Sequence, residues 1–323
     1  MLGVEMERPD REHRAGEPTP RVHLPVLAAE VTRVLAGDHL QTPQLLEGWI
    51  ADATLGAGGH SGLLLAAYPK LRILGFDQDP QILEHARRNL AHFEGRTRIR
   101  KGRFSELGEI LHEEGVSRLV GVLVDLGASS LQFDSPARGF SMQEDGPLDM
   151  RMDPDRPRRA ADIVNRWDES DLADLFYYEG GESRSRRIAR AIVEGRRRAP
   201  FLRTQALANL VERTVGRRGK THPATKVFQA LRRAVNEEGE ELRQGLAQAE
   251  EWLVDGGRLA VISFHSGEDG EVKRFLTRGE RELRWRLDSK KPIKPGRPEV
   301  LENRRARSAV LRVGTRTRMG GTP

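Results

Sequence analysis

Residues 52 to 60 read Asp52-Ala-Thr-Leu-Gly-Ala-Gly-Gly-His60, and this stretch decides the fold prediction for the 323-residue chain. It follows a short apolar run, residues 49–51, and precedes a second apolar run, residues 63–67, that suits a helix. Because glycine lets a backbone approach a bound molecule closely, a strand, a glycine turn and a helix in this order predict a nucleotide-type binding loop. The alternative is a plain tight turn.

The glycine spacing does not match the dinucleotide fingerprint. After Gly56 and Gly58, the third glycine of G-x-G-x-x-G would fall at Ser61. An aspartate at a strand end followed by Gly-x-Gly-Gly looks more like a methyltransferase loop for S-adenosylmethionine. Taken alone, the loop leaves this interpretation and the plain turn open.

Strand and helix patterns alternate on both sides of the loop. Predicted strands cover residues 49–52, 71–77, 97–100, 119–125, 257–263 and 309–313. Alternation at this pitch predicts a doubly wound α/β sheet, in which ligands sit at the carboxyl ends of the strands. Asp52, Asp77 and Asp125 each end a predicted strand, which is where a ligand would be met.

The alternation stops after residue 130, and a helical stretch follows. Asp168 and Thr204 are predicted to cap two of its helices, and one long helix is predicted from about 225 to 253. We therefore predict a discontinuous α/β domain with an inserted helical domain. The predicted division is a disordered tail at 1–20, the α/β domain at 21–135 and 225–323, and the insertion at 136–224.

Two basic segments contrast with an acidic remainder. Residues 184–220 carry 12 Lys or Arg and 2 Glu, and residues 290–318 carry 10 Lys or Arg and 2 Glu, whereas the whole chain has a net charge of +6. This distribution favours a polyanionic partner, most simply nucleic acid. For either segment alone, a solvated helix face is the alternative.

Composition excludes several classes of site. The chain has no cysteine, so disulfides, thiolate zinc sites and cysteine nucleophiles are excluded, and a reducing cytoplasm is compatible. No apolar run reaches the length of a membrane span, and the charged N-terminus does not resemble a signal peptide. The histidines form neither H-x-x-x-H nor H-E-x-x-H, so we expect no metal site. The missing cysteines, membrane span and signal peptide together predict a cytoplasmic protein.

Several residues near the strand ends are candidates for binding. Asp77 lies 19 residues after Gly58, where a carboxylate would accept hydrogen bonds from the ribose of an adenosine cofactor, although a helix cap is the alternative. Phe104 could flank an adenine or belong to the core. Asp125 would adjoin the methyl donor. His60, considered by itself, is predicted to cap a helix or to pack against its neighbours.

Ten short motifs then point to one family. The chain resembles the bacterial 16S rRNA (cytosine-N4)-methyltransferases of the RsmH family, also called MraW. The matching motifs begin at His23 and end at Ala309, so the resemblance covers nearly the whole chain. They are His23-Leu-Pro-Val-Leu27, residues 52–61, Gly75-Phe-Asp-Gln-Asp-Pro80, Asp125-Leu-Gly-Ala-Ser-Ser130, Arg138-Gly-Phe-Ser-Met142, Leu148-Asp-Met-Arg-Met-Asp153, His222-Pro-Ala-Thr225, Phe228-Gln-Ala-Leu-Arg232, Ser263-Phe-His-Ser266 and Arg305-Ala-Arg-Ser-Ala309.

The resemblance implies a class I methyltransferase fold with a helical substrate domain, S-adenosylmethionine as donor, and a decoding-centre cytidine of small-subunit rRNA as target. Free rRNA and the assembled small subunit both stay open as substrate, and a homodimer is compatible. The insertion and its basic segment would face the RNA, with residues 290–318 as a second contact. The implied cofactor-binding positions, which now include His60, are Gly58, Gly59, His60, Asp77, Phe104, Asp125 and Gln132.

The sequence departs from the family pattern in the segment after Ser263. Gly267 stands where the family has leucine, and Gly270 where it has arginine. We expect the fold to survive, but an RNA or ion-pair role of that arginine is put in doubt. The alternative function is therefore a non-catalytic rRNA-binding or ribosome-assembly factor that retains the fold.

The catalytic group is not predicted. DNA amino-methyltransferases carry an Asp/Asn/Ser-Pro-Pro-aromatic motif after strand four, whereas this chain has Asp125-Leu-Gly-Ala-Ser-Ser130, without prolines or an aromatic residue. Asp125, Ser129 and Ser130 are placed to help as a hypothesis. The aromatic residues that could stack on a target base are Phe140, Trp167, Tyr177 and Tyr178, although a core role is the alternative for each.

Overall fold

The computed structural model describes residues 25–217, 219 and 221–317. The predicted disordered tail, residues 1–20, lies outside the described residues. The described part of the chain contains a seven-stranded sheet in the order β3-β2-β1-β4-β5-β7-β6. The strands are β1 (Gly48–Asp52), β2 (Leu71–Asp77), β3 (Thr97–Lys101), β4 (Leu119–Asp125), β5 (Leu253–Ser263), β6 (Trp285–Arg286) and β7 (Val310–Arg316).

The first five strands are parallel, and β7 is antiparallel to both of its neighbours, β5 and β6. The central strands are buried on both faces, which explains the near-continuous apolar runs in β2 and β4. This strand order with an antiparallel β7 is that of class I S-adenosylmethionine-dependent methyltransferases. The predicted α/β fold class is therefore confirmed.

Helices cover both faces of the sheet and build a separate layer beyond it. The helices are α1 (Ala28–Ala36), α2 (Gly59–Ala67), α3 (Pro80–Asn89), α4 (Leu107–Glu113), α5 (Ser130–Phe133), α6 (Ala160–Arg166), α7 (Glu169–Tyr178), α8 (Ser185–Arg196), α9 (Thr204–Val215), α10 (Thr225–Asn236), α11 (Glu238–Trp252), α12 (Ser266–Arg281) and α13 (Arg297–Glu302). None of these helices is long and apolar enough to cross a membrane.

A hydrophobic core separate from the two cores on the sheet is built from residues 128–235. It includes Ile163, Phe176 and Ile192 from α6, α7 and α8. Val227 and Leu231 of α10 also belong to it, although the predicted boundary at 224 assigns α10 to the methyltransferase domain. The domain division stays a prediction, and α10 is the element that joins the two parts.

The prediction of one long helix over 225–253 is wrong. The chain forms α10 and α11 separately, because Glu237 between them adopts a left-handed conformation with φ of 53°. The predicted cap at Thr204 is also wrong, since its hydroxyl accepts a hydrogen bond from the Gly146 N–H at 3.0 Å instead. Asp168 does precede α7, but its side chain makes no capping hydrogen bond.

Candidate active site

The glycine loop joins the end of β1 to the start of α2. Gly56 and Gly58 have φ values of 55° and 84°, which favour glycine strongly. A Cβ added at Gly58 would lie 2.9 Å from the Leu90 side chain, so that position is also crowded. Gly59 is the first residue of α2, where a Cβ would be 3.4 Å from Pro25. The loop therefore presents bare backbone at the carboxyl end of the sheet.

Asp77 at the end of β2 holds this loop in place. Its Oδ2 accepts a hydrogen bond from the Gly56 N–H at 3.0 Å, and its Oδ1 accepts one from the Asp79 N–H at 3.0 Å. Burial raises the pKa of the Asp77 carboxyl to about 6. Because a carboxylate has about four acceptor positions, it retains capacity for further donors such as hydroxyl groups.

Buried polar atoms without partners gather beside the loop. Asp52 Oδ2 accepts a hydrogen bond from the Ser61 hydroxyl at 2.6 Å, but Asp52 Oδ1 has no partner among the described residues. Both ring nitrogens of His60 and Oδ1 of Asp125 are likewise buried without a partner there. Since buried polar groups in folded proteins are nearly always hydrogen-bonded, this cluster fits a polar bound molecule.

His60 and Asp125 face each other, with His60 Nε2 3.9 Å from Asp125 Oδ2. Burial lowers the pKa of His60 to about 4, so the imidazole is neutral near pH 7. Burial also raises the pKa of Asp125 to about 7, although Arg305 opposes that increase. The pair consequently offers both a neutral donor and an acceptor whose charge changes near neutral pH.

Gln132 and Phe104, two predicted site residues, are committed to protein contacts. Gln132 Nε2 donates to Asp79 Oδ2 at 2.7 Å, and its Oε1 accepts from the Ser129 N–H at 2.9 Å. Phe104 is 6% exposed and packs on α11, where a Cβ added at Gly245 would lie 2.1 Å from its ring. Gln132 thus reaches Asp77 only through its neighbour Asp79, and Phe104 belongs largely to the core.

The two serines proposed to assist Asp125 also have structural partners. The Ser129 hydroxyl accepts from the Leu131 N–H at the start of α5, at 3.4 Å. The Ser130 hydroxyl accepts from Arg305 Nη1 at 2.6 Å, while Arg305 Nη2 donates to the Ala128 carbonyl at 2.6 Å. Asp125 is therefore the side chain of this segment that retains a free buried acceptor.

Comparison with known proteins now assigns the family. The MraW methylase family model matches residues 21–317. The chain belongs to the MraW methylase family. It is 46% identical over 315 residues to the ribosomal RNA small subunit methyltransferase H of Beijerinckia indica, covering 92% of this chain and 86% of that protein. It is 44% identical to the protein of the same name from Synechococcus elongatus, covering 94% and 97% of the two chains.

Among solved structures, a putative rRNA-methylase from Clostridium thermocellum aligns with a TM-score of 0.43 and 12% sequence identity, covering 88% of this chain and 97% of that one. A likeness at this level adds nothing to the fold assignment, which stands on the strand order and the family match. In this MraW-family chain, the motifs around residues 52–60, 77 and 125 all lie at the carboxyl edge of the sheet.

The arginines of the 184–220 segment divide into two groups. Arg196 Nη1 donates to the Val164 and Trp167 carbonyls at 2.9 and 2.8 Å, so it supports the end of α6. Arg184 Nη1 donates to the Val215 carbonyl at 2.7 Å at the end of α9. Arg186 and Arg187 on α8 are exposed and carry no ion pair or side-chain hydrogen bond with described residues. The second group is therefore available to a polyanion.

The predicted stacking residues differ in exposure. Phe140 is 4% exposed and belongs to the core built from residues 128–235, and Trp167 packs against that core. The core role given as the alternative is therefore confirmed for these two residues. Tyr177 and Tyr178 are 54% and 76% exposed, and their rings meet edge to face with centroids 5.1 Å apart. The core alternative is wrong for these two, whose rings lie on the outer face of α7.

Sequence reasoning missed a cluster that follows β5. His265 caps the start of α12, where its Nδ1 accepts from the Gly267 N–H at 3.1 Å, and its Nε2 lies 2.6 Å from Glu268 Oε1. Arg233 of α10 contacts His265, and its Nε donates to Glu179 Oε2 at 2.8 Å. The Ser263–Ser266 motif directly after a strand was the available signal. Helix α12 forms despite the two glycines, as expected.

Proposed function

We propose that this protein transfers a methyl group from S-adenosylmethionine to N4 of a cytidine in the decoding centre of small-subunit (16S) rRNA. Membership of the MraW methylase family and the names of its relatives support small-subunit rRNA as the substrate. The sequence resemblance supports N4 and the decoding centre. The single observation that carries the chemistry is the buried, unpartnered Oδ1 of Asp125 at the end of β4.

The donor site is proposed from residues at the carboxyl edge. S-adenosylmethionine, when bound, supplies an electrophilic methyl group on its sulfonium sulfur. Asp77 would accept hydrogen bonds from the ribose hydroxyls, and the orphaned nitrogens of His60 would bond polar atoms of the donor. Gln132 acts through Asp79. The proposed donor-binding residues are Gly58, Gly59, His60, Asp77, Phe104, Asp125 and Gln132.

The acceptor amine needs activation by the protein. The lone pair of cytosine N4 is delocalised into the ring, so an acceptor bonded to the N4 hydrogens makes the nitrogen more nucleophilic. Asp125 is such an acceptor, because its side chain is 29% exposed at the end of β4 and no described residue hydrogen-bonds to its Oδ1. Holding the amine in line with the methyl group in a site that excludes water supplies much of the remaining rate.

The target base must leave its stack to reach Asp125, at a cost of a few kcal/mol. Exposed arginines on α8 would bind the phosphate backbone around the target, which explains why the basic surface lies in the helical segment. We propose small-subunit rRNA, free or assembled, as the partner and the cytoplasm as the site of action.

The test is mass spectrometry of small-subunit rRNA nucleosides from a strain that lacks this gene. N4-methylcytidine at the target should disappear and return with the wild-type gene, but not with an Asp125→Asn variant at equal expression. If the nucleoside persists unchanged in the deletion strain, the proposed activity is wrong.

Calorimetric measurement of S-adenosylmethionine binding distinguishes a methyltransferase from a non-catalytic assembly factor. The wild-type protein should bind S-adenosylmethionine, whereas Asp77→Ala should bind it at least about tenfold more weakly, because a charge-assisted hydrogen bond is worth roughly 1.5–3 kcal/mol. Wild-type protein that binds small subunits but not the donor would contradict the enzymatic proposal.

A further inference from the structure

Strand β5 lies beside β4 in the sheet, and the residue that follows it, Phe264, is aromatic. Residues 125–130, at the end of β4, contain no aromatic ring. Asp125 pairs with Ile262 in the parallel β4–β5 register, and the Leu126 N–H donates to the Ile262 carbonyl at 3.0 Å. Phe264 is two residues beyond Ile262, so it leaves the sheet at the same edge as Asp125 and Gly127. Phe264 is partly exposed and packs against the core on one face of the sheet.

The ring lies against the Gly127 turn. A Cβ added at Gly127 would be 3.7 Å from Phe264 Cδ2 and 3.9 Å from Arg232 Nη1. Gly127 has a backbone φ of 108°, a value that residues other than glycine rarely adopt. The turn is therefore a bare stretch of backbone between an aromatic ring and a guanidinium, one residue beyond Leu126 and two beyond the free acceptor of Asp125.

We propose that Phe264 is the surface on which the unstacked target base lies, placing its exocyclic amine at Asp125. This inference rests on the proposed function, because it names the residue that binds the base for the same methyl transfer. A planar ring is needed there because the base loses its stacking neighbours on leaving the RNA helix, and an aromatic side chain replaces them.

The ring is held before any substrate arrives. The Phe264 N–H donates to Glu268 Oε2 at 3.2 Å, and the other oxygen of Glu268 lies 2.6 Å from His265 Nε2. The Arg305 guanidinium carbon lies 5.9 Å from the Phe264 ring centroid, while the same guanidinium binds Ala128 and Ser130. Arg305 thus links the ring to the turn after β4.

The other aromatic candidates fit this task less well. Phe140 is 4% exposed in the core of the helical segment, so its faces are already covered. Tyr177 and Tyr178 are exposed, but they lie at the end of α7, and no described contact joins them to the turn after β4. Phe264 lies against Gly127, two residues beyond Asp125, and the residue is partly exposed.

The experiment compares Phe264→Leu, Phe264→Trp and wild type on small subunits purified from the deletion strain. Loss of base stacking should lower kcat/KM for the subunit by about 10- to 100-fold in Phe264→Leu. Phe264→Trp should retain most of the activity, because a larger ring still stacks. The Kd of S-adenosylmethionine, measured by calorimetry, should stay within about twofold of wild type in both variants.

Phe93→Leu is the matched control. Phe93, like Phe264, is partly buried against the core on one face of the sheet. The Arg96 guanidinium carbon lies 5.1 Å from its ring centroid, but Phe93 follows α3 rather than β5. Its kcat/KM should equal that of wild type.

Three results would overturn the inference. The first is wild-type kcat/KM in Phe264→Leu, and the second is equal loss of activity in Phe264→Trp and Phe264→Leu. The third is a parallel loss of donor affinity, since this would assign the ring a structural role. Absence of N4-methylcytidine with the wild-type protein would instead remove the proposed function itself, so the two failures are distinguishable.

Discussion

Asp52, Asp77 and Asp125 end three adjacent strands, and burial is the first cause of the raised pKa of each carboxyl. Asp77 uses its oxygens to fix the glycine loop, whereas Asp52 and Asp125 each have a buried oxygen without a partner among the described residues. These buried oxygens without donors lower the stability of the ligand-free protein. A bound molecule that donates hydrogen bonds to them would offset that loss of stability.

Asp125 should confer a pH dependence on methyl transfer. Burial raises its pKa to about 7, and the ionised form is the better acceptor of the N4 hydrogens. The kcat/KM for the donor, which reports on the free enzyme, should therefore rise with pH through about 7. Asp125→Asn should lower kcat by roughly 100-fold or more and abolish this dependence. A wild-type profile that is flat between about pH 6 and 8 would exclude Asp125 as the titrating acceptor.

Asp52 should make the ligand-free protein less stable as pH rises. Its folded pKa of about 6 lies above the ordinary value of 3.8, so the folded state holds the proton longer than the unfolded state. Stability is therefore lost as pH rises from about 4 to about 6, by roughly 3 kcal/mol in full. Asp52→Asn retains an acceptor for Ser61 and lacks the charge.

Urea unfolding of wild type and Asp52→Asn at two pH values tests this expectation. The stability advantage of the variant should grow by roughly 2 kcal/mol between about pH 4.5 and 7.5. An advantage that stays constant over this range would mean that Asp52 is not protonated in the folded protein.

At the scale of elements, one buried amide joins α10 to the loop that precedes α6. Asn236 Oδ1 accepts from the Met152 N–H, and its Nδ2 donates to the Met150 carbonyl, both at 2.8 Å. Met150 has φ of 64°, a conformation that a methionine adopts only when its surroundings hold it. This amide thereby fixes the loop beside β2, where Gln78 Nε2 lies 3.2 Å from Met152 Sδ.

Asn236→Ala should destabilise the protein by about 2–4 kcal/mol, because it leaves two buried backbone groups without partners. Guanidinium unfolding monitored by circular dichroism measures the change. Gln229→Ala, on the same helix but without such bonds among the described residues, is the control and should alter stability by less than about 0.5 kcal/mol. Equal stability of Asn236→Ala and wild type would contradict the bridging role.

Helix α8 provides a second prediction at this scale. Charge reversal at Arg186 and Arg187 should weaken binding to small subunits and reduce the slope of log K against log salt by about 1–2, since these side chains are free to bind phosphates. The melting temperature should not change. Charge reversal at Arg87 on α3, also exposed, is the control. Unaltered affinity at all salt concentrations would exclude this face of α8.

Arg196 should behave differently from its neighbours on α8. Arg196 donates to two carbonyls at the end of α6, so Arg196→Glu should destabilise that end of the helix, and weaker RNA binding by this variant would not identify an RNA contact. A basic run therefore contains arginines of unequal function, and only their contacts tell them apart.

At the scale of the whole molecule, a buried ionic group connects the sheet to the helical segment. Asp79 is fully buried after β2, and Arg138 lies 2.8 Å from its Oδ2. The same Arg138 donates to the carbonyls of Arg151 and Met152, both at 2.9 Å. Because the Asp79 N–H also bonds the Asp77 carboxylate, the proposed donor site and the segment that contains Arg138, Arg151 and Met152 share one continuous set of hydrogen bonds.

Arg138→Ala should cost about 3–5 kcal/mol, since it leaves the Asp79 carboxylate buried without its counter-ion. The variant should raise KM for both the donor and the small subunit, whereas Asp77→Ala should affect the donor alone. Thermal unfolding and steady-state kinetics measure these effects, with Arg138→Lys as a milder variant in case Arg138→Ala does not fold. If Arg138→Lys has the stability of wild type and an unchanged KM for both substrates, Arg138 does not couple the donor site to the binding of the small subunit.

The sheet and its ligand edge were predictable from sequence for a physical reason. Strand period, apolar runs and the glycine turn are local properties, and parallel strands bring their carboxyl ends to a common edge. Asp52, Asp77 and Asp125 could therefore be placed at one edge, and the ordered motifs identified the family. The break at Glu237 escaped prediction because apolar residues continue at helical spacing on both sides of it, and that spacing carries no sign of the left-handed backbone at Glu237.

The sequence by itself determined the fold class, the family and the segments that meet at the carboxyl edge, because these follow from local patterns and their order. Tertiary structure alone decided that Asp125 keeps a buried oxygen without a partner among the described residues, that Arg196 is structural, and that Phe264 lies against Gly127. Each of these is a contact between residues far apart in the chain. No spacing or composition records such contacts, since they exist only once the strands and helices have packed.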